Sequence, residues 1–100
     1  MTTGARTDDE INRSLAELVK SPVGYHGRRI VRDYTHDLNA LRDGPERLLR
    51  EAGWWQQIIT KPPYVEWWAP KQNPPPYEAE ADTEACARAL AAEAALIAMQ

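Results

Sequence analysis

Apolar residues recur along this chain first at helical spacing, then at strand spacing, then at helical spacing again. Ile11, Leu15, Leu18 and Val19 form one stripe behind Thr7. Thr7-x-x-Glu10 is a capping box, and Asp8, Asp9 and Glu10 suit the positive end of a helix dipole. Ser21-Pro22 ends this helix near Lys20, because the residue before a proline is driven out of the helical region. Residues 1–7 read as a flexible tail and residues 8–100 as one domain. Residues 21–34 hold two glycines and a proline and read as a loop, with a short extended stretch from Arg29 to Arg32. Thr35 is placed to cap a second helix, whose Leu38, Leu41, Leu48 and Leu49 lie roughly on one face. Gly44-Pro45 interrupts that face. Proline suits the first turn of a helix, so the reading is a break at Asp43-Gly44 and a restart at Pro45, closed by Gly53.

The rhythm then changes. Trp54 to Thr60 and Tyr64 to Ala69 are rich in aromatic and β-branched residues, with Lys61-Pro62-Pro63 between them. This predicts a hairpin over about 54–69. Trp54 and Ile58 share one face of its first strand, Trp55 and Ile59 the other. Both faces therefore carry large apolar groups and call for helical cover on two sides. Pro70 and Asn73-Pro74-Pro75-Pro76 predict an extended, polyproline-like connection. Tyr77 to Ala81 is a possible third strand, at the sheet edge or beside the first. Asp82 or Thr83 caps a last, alanine-rich helix reaching to near Met99, and Cys86, Leu90, Ala94 and Ile97 trace its expected buried stripe. The expected fold is α+β: a layered helix/sheet/helix sandwich with a short, mostly antiparallel sheet and three main helices.

Composition sharpens this picture. The 100 residues include four tryptophans and four tyrosines but no phenylalanine, so indoles and phenols must supply the bulky core. Each such ring buries roughly 150–250 Å². The formal charge of −3 is uneven: residues 1–50 hold nine Lys/Arg against eight Asp/Glu, and residues 51–100 hold three against seven. A mildly acidic chain makes nucleic acid an unlikely partner, because phosphate neutralisation needs clustered positive charge. The single cysteine, Cys86, forms no intrachain disulfide. The polar start MTTGARTDDE does not read as a signal peptide, and no apolar run is long enough for a bilayer; a soluble, cytoplasmic protein without membrane partners is expected.

Four stretches hold candidate chemistry. Asp33-Tyr34-Thr35-His36-Asp37 packs two carboxylates and a histidine closely, but structural zinc wants about four well-placed ligands. Capping by Thr35 and Asp37 explains the same residues, so no metal and no cofactor is expected. Cys86, on the buried side of a helix, reads as a small core residue rather than a nucleophile. Ser14 and Ser21 have no adjacent histidine and no nucleophile elbow, so no catalytic residue is assigned and no enzyme is expected. Gly27-Arg28-Arg29-Ile30-Val31-Arg32 is the one basic cluster. With His26 it is a candidate anion site, against ordinary surface ion pairing. Asn73 to Tyr77 fits a proline-proline-x-tyrosine pattern read by peptide-binding modules, against a stiff spacer. Any tryptophan left exposed would mark a partner surface; Trp55, Trp68, Tyr64 and Tyr77 are the candidates.

Three segments, in order, carry a resemblance. Ile11–Val19 (INRSLAELV), Asp33–Leu41 (DYTHDLNAL) and Glu80–Ala94 (EADTEACARALAAEA), joined through Arg50–Ile58 (REAGWWQQI), are similar to the phage ABA-sandwich domain family, small proteins of tailed-phage genomes. The Gly44-Pro45 break and the proline tract depart from its pattern. The resemblance implies a helix/sheet/helix fold and a phage or prophage origin, and it supplies no catalytic residues.

The functional expectation is a non-enzymatic phage accessory protein in the cytoplasm of a bacterial host. It binds a host or phage protein, or a second copy of itself, and interferes with a host process or a defence system. The alternative is a small-ligand sequestering protein that holds a nucleotide-like anion with Arg28, Arg29, Arg32 and His26.

Overall fold

Thr7 opens the chain's first helix as its sequence requires. In the computed structural model, which describes residues 6–70 and 76–100, the Glu10 N–H donates to Thr7 Oγ1 at 3.2 Å and the Thr7 N–H donates to Glu10 Oε1 at 2.9 Å. The capping box is thus complete, and α1 runs from Asp8 to Leu18. It buries Ile11, Asn12, Leu15 and Ala16. Lys20 follows with φ +55°, a left-handed conformation that glycine adopts more cheaply. The loop after it carries a single bridge, Val23 to Arg29, and not a strand.

Thr35 does not cap the second helix. Its N–H donates to Asn12 Oδ1 at 3.0 Å and its hydroxyl to Asp33 Oδ1 at 3.2 Å, so it is a buried peg fastening the loop to α1. A turn in which the Asp33 carbonyl accepts from the N–H groups of His36 and Asp37 delays the helix by two residues. Asp37 is the cap, its Oδ1 accepting from the Asn39 and Ala40 N–H groups at 3.0 and 3.2 Å. The helix breaks at Gly44 into α2 (Leu38–Asp43) and α3 (Pro45–Glu51), with Pro45 in the first turn. Gly53, at φ +90°, ends α3. The Trp54 N–H donates to the Leu49 carbonyl and the Gly53 N–H to that of Arg50, the paired bonds of a Schellman motif.

The hairpin forms as β1 (Trp55–Thr60) and β2 (Pro63–Trp68), antiparallel, with Trp55 opposite Trp68 and Ile58 opposite Val65. β3 (Tyr77–Glu80) pairs antiparallel with the other side of β2, giving the order β1-β2-β3 with β3 at the edge. Residues 71–75, which include Asn73, Pro74 and Pro75 of the expected polyproline-like connection, lie outside the described residues. α4 (Glu84–Met99), capped by Thr83, packs on β2 and β3. It also touches α1, α2 and α3. The class is α+β, and the layers run sheet, α4, then the shorter helices.

This middle position explains two departures from expectation. α4 meets neighbours on two sides, so it buries alanines nearly all round: Ala87, Ala89, Ala91, Ala92 and Ala95 are fully enclosed. The stripe Cys86, Leu90, Ala94 and Ile97 is its outer seam instead, with three members half-buried and Ile97 56% exposed. Small side chains, not large ones, mark the close approaches. Secondly, cover of the hairpin is one-sided. Val65 and Trp67 point to α4 and are fully buried, while Trp55 stays 53% exposed and Ile59 is exposed beside it. With its helices gathered on one side of the sheet, the chain leaves the other face to solvent.

Candidate functional site

The strand register fixes what that open face presents. Side chains alternate along a strand, so Trp55, Gln57 and Ile59 of β1 share a face with Trp68, Glu66 and Tyr64 of β2 and with Glu78 and Glu80 of β3. Trp55 and Trp68, directly opposite, stack with ring centroids 5.2 Å apart and planes 4° from parallel. Glu66 organises the row beneath: its Oε1 accepts from Trp68 Nε1 at 3.3 Å and its Oε2 from the Tyr64 hydroxyl at 2.8 Å. The Tyr64 hydroxyl also meets Glu78. Those two carboxylates, Glu78 first, push the Tyr64 phenol far up and keep it protonated. The result is a row of pre-oriented rings edged by Glu66, Glu78 and Glu80.

Three of the four aromatic candidates meet here. Tyr77 does not. Its register partner is Trp67, which puts it on the covered face, and its ring packs on Trp54 with centroids 5.7 Å apart. The four tryptophans thus divide into Trp54 and Trp67 for the core and Trp55 and Trp68 for the open face.

The basic cluster does not converge. Arg29 donates to Glu17 at 2.7 Å and to the Ser21 carbonyl at 2.8 Å, a loop fastening. Arg28, Arg29 and His26 border one shallow concavity, with His26 edge-on to the nearly fully exposed Tyr25. Arg32 lines a different recess, beside Tyr34 and Lys20.

His36 joins two elements. Its Nδ1 lies 2.9 Å from Asp33 Oδ1 and its Nε2 3.3 Å from Asp8 Oδ2 at the start of α1. The hydrogen bond to Asp33, then its charge, raises the His36 value above the ordinary one, and Asp8 adds to this. The same bond, with help from Asn12 and Thr35, lowers Asp33. Among the described residues no group of three or more His, Cys, Asp or Glu could hold a metal. Burial first, then the charges of Asp8 and Asp82, raises the Cys86 thiol, so at neutral pH it is a protonated, half-buried group.

The linkage signs follow. A raised histidine value gives stability that is full below the unfolded value near ~6.5 and is lost as pH rises through the higher folded value. A lowered carboxyl gives stability that is full above the unfolded value near ~3.9 and is lost as pH falls through the lower folded value. Urea midpoints measured across pH should therefore show wild type losing its margin over His36→Gln as pH rises past neutrality. Parallel curves for the two proteins would remove the pair from the stability account.

One buried group gave no signal in sequence. Glu46, in the first turn of α3, is fully enclosed and paired with Arg88 of α4. Arg88 Nη2 lies 2.5 Å from Glu46 Oε1, and its Nε lies 2.9 Å from Oε2. Gln56 donates to Oε2 at 2.8 Å, and Arg88 reaches back to Glu84 at 2.9 Å. An arginine in an alanine-rich helix reads as a solvated face, and only the tertiary position of α4 turns it inward. No helix among the described residues is long and apolar enough to cross a membrane. No protein-family model, curated protein or solved structure matches the chain.

Proposed function

We propose that this is a small, non-enzymatic accessory protein of phage origin that binds a host or phage protein through the open face of its sheet, within the cytoplasm of a bacterial host. The observation that carries the reading is the Trp55–Trp68 stack, left to solvent and edged by carboxylates. Stacked rings whose neighbours already hold them in place lose little freedom on binding, and tryptophans dominate the energetics of protein interfaces. Exposed apolar surface of this kind marks a contact site in a soluble domain. Glu66, Glu78 and Glu80 define the complement: a partner that sets an arginine or lysine against the rings, where cation–π attraction adds to charge pairing.

A partner retained from host lysate by the immobilised chain should be lost on Trp55→Ala or Trp68→Ala, with affinity for the purified partner falling roughly 30-fold or more. Arg28→Gln, in the loop, should leave retention unchanged. Binding should also weaken as salt is raised. Retention that survives both tryptophan changes removes the open face from the interaction.

A further inference from the structure

The recess that takes Arg32 out of the basic loop has the makings of a ligand site of its own, separate from the open sheet face. It holds about 300 Å³, at the lower end of the range for small-molecule pockets. The end of α1, the loop and the α2–α3 break border it, and it is open to solvent. Val19, Pro22 and Leu48 give it an apolar wall. Tyr34 lines it, its ring against Gly44, and is 2% exposed. Among the described residues the Tyr34 hydroxyl makes no hydrogen bond and keeps some contact with solvent. Burial holds that phenol protonated, so it keeps a donor to offer.

The charges around it are not self-cancelling. Arg47 and Glu51 pair with each other at 3.0 Å. That leaves Lys20 and Arg32 against the single carboxylate of Asp43, a net charge of +1. Neither Lys20 nor Arg32 has a carboxylate within 4.0 Å among the described residues. Lys20 complements the negative end of α1, but it does so in a left-handed conformation costly for a lysine. Arg32 has no comparable structural duty. Both long side chains thus line a partly apolar recess together with the Tyr34 phenol.

We propose that this recess binds a small monoanion, a carboxylate carried on a flat or branched apolar body. Arg32 and Lys20 act as counter-charges, the Tyr34 hydroxyl as hydrogen-bond donor, and Val19, Pro22 and Leu48 as the wall. A dianion fits less well, because Asp43 and Glu51 stand at the same mouth.

The test is an NMR titration of the full chain with sodium benzoate, alongside benzyl alcohol as its neutral counterpart and inorganic phosphate as the bare anion. Benzoate should give saturable amide shifts at residues 19–22, 32–34 and 43–48, with Kd on the order of 1 mM. Benzyl alcohol and phosphate should each bind at least several-fold more weakly. Arg32→Gln should weaken benzoate roughly tenfold, and Tyr34→Phe, which keeps the ring, about fivefold. Lys20→Gly separates binding from folding: relief of the positive φ should raise the melting temperature by ~4 °C while benzoate binding falls. The proposal is overturned if benzoate gives no saturable shifts, if benzyl alcohol or phosphate binds as tightly, or if Arg32→Gln and Tyr34→Phe bind benzoate like wild type.

Discussion

Arg88→Met should cost about 3–5 kcal/mol of folding stability, because it strands the Glu46 carboxylate inside the protein with one of its charge partners gone. For a chain this size that is a large share of a total margin of roughly 5–15 kcal/mol, and a fall in melting temperature on the order of 20 °C. Arg50 cannot substitute, since its nearest guanidinium nitrogen stands 3.9 Å from Glu46 and points from an exposed position. Glu46→Gln should cost less, about 2–3 kcal/mol, because the amide keeps one acceptor for Arg88 or Gln56 while its own N–H₂ faces the guanidinium. The double change Glu46→Leu with Arg88→Met removes both charges and keeps apolar volume. It should recover most of the loss, ending within ~1–2 kcal/mol of wild type, with the orphaned Gln56 amide as the remaining penalty. Urea unfolding of the four proteins checks this. If Arg88→Met alone costs under ~1 kcal/mol, the pair is in contact with water and the account of α3 docking on α4 is wrong.

That pair also shows where sequence reasoning reaches its limit. Local signals were legible because their causes are local: the Thr7 capping box, the restart at Pro45, the Gly53 terminus and the hairpin each depend on residues within a few positions. What failed depended on layer order. Nothing in the spacing of Cys86, Leu90, Ala94 and Ile97 says that α4 is the central layer, and once it is, alanine faces become the buried ones. Thr35 was misread for a related reason. Its capping chemistry is real, but its hydroxyl turns back to Asp33 while Asn12, twenty-three residues away, holds its N–H. Half of the candidate site was legible. Tyr64 and Trp68 share a face by strand alternation alone, whereas the placing of Trp55 with them depends on the register between β1 and β2, and the exclusion of Tyr77 on that between β2 and β3. Sequence proximity groups the arginines, and loop curvature separates Arg32 from Arg28 and Arg29.

Trp67→Ala and Trp55→Ala should part widely, although the two residues come from paired strands of the same hairpin. Trp67 is fully buried on the α4 face, so truncation removes a large ring from a closed layer and leaves a cavity, costing about 3–5 kcal/mol. Trp55 loses its stack with Trp68 and little else, about 0.5–1.5 kcal/mol. Trp67→Phe discriminates further. Among the described residues the Trp67 indole N–H is buried without a partner, a penalty of ~1–3 kcal/mol that phenylalanine removes while creating a smaller void. These terms oppose, so Trp67→Phe should fall within ~1–2 kcal/mol of wild type, well above Trp67→Ala. Thermal and urea denaturation of the three variants measure the differences. Equal costs for Trp67→Ala and Trp55→Ala would mean that something encloses both faces of the sheet, and the open face would then be unavailable to any partner. An unequal result in the stated order separates the ring that holds the fold together from the ring left free to bind, and it makes Trp55→Ala a folded variant in which loss of binding can be read as loss of contact.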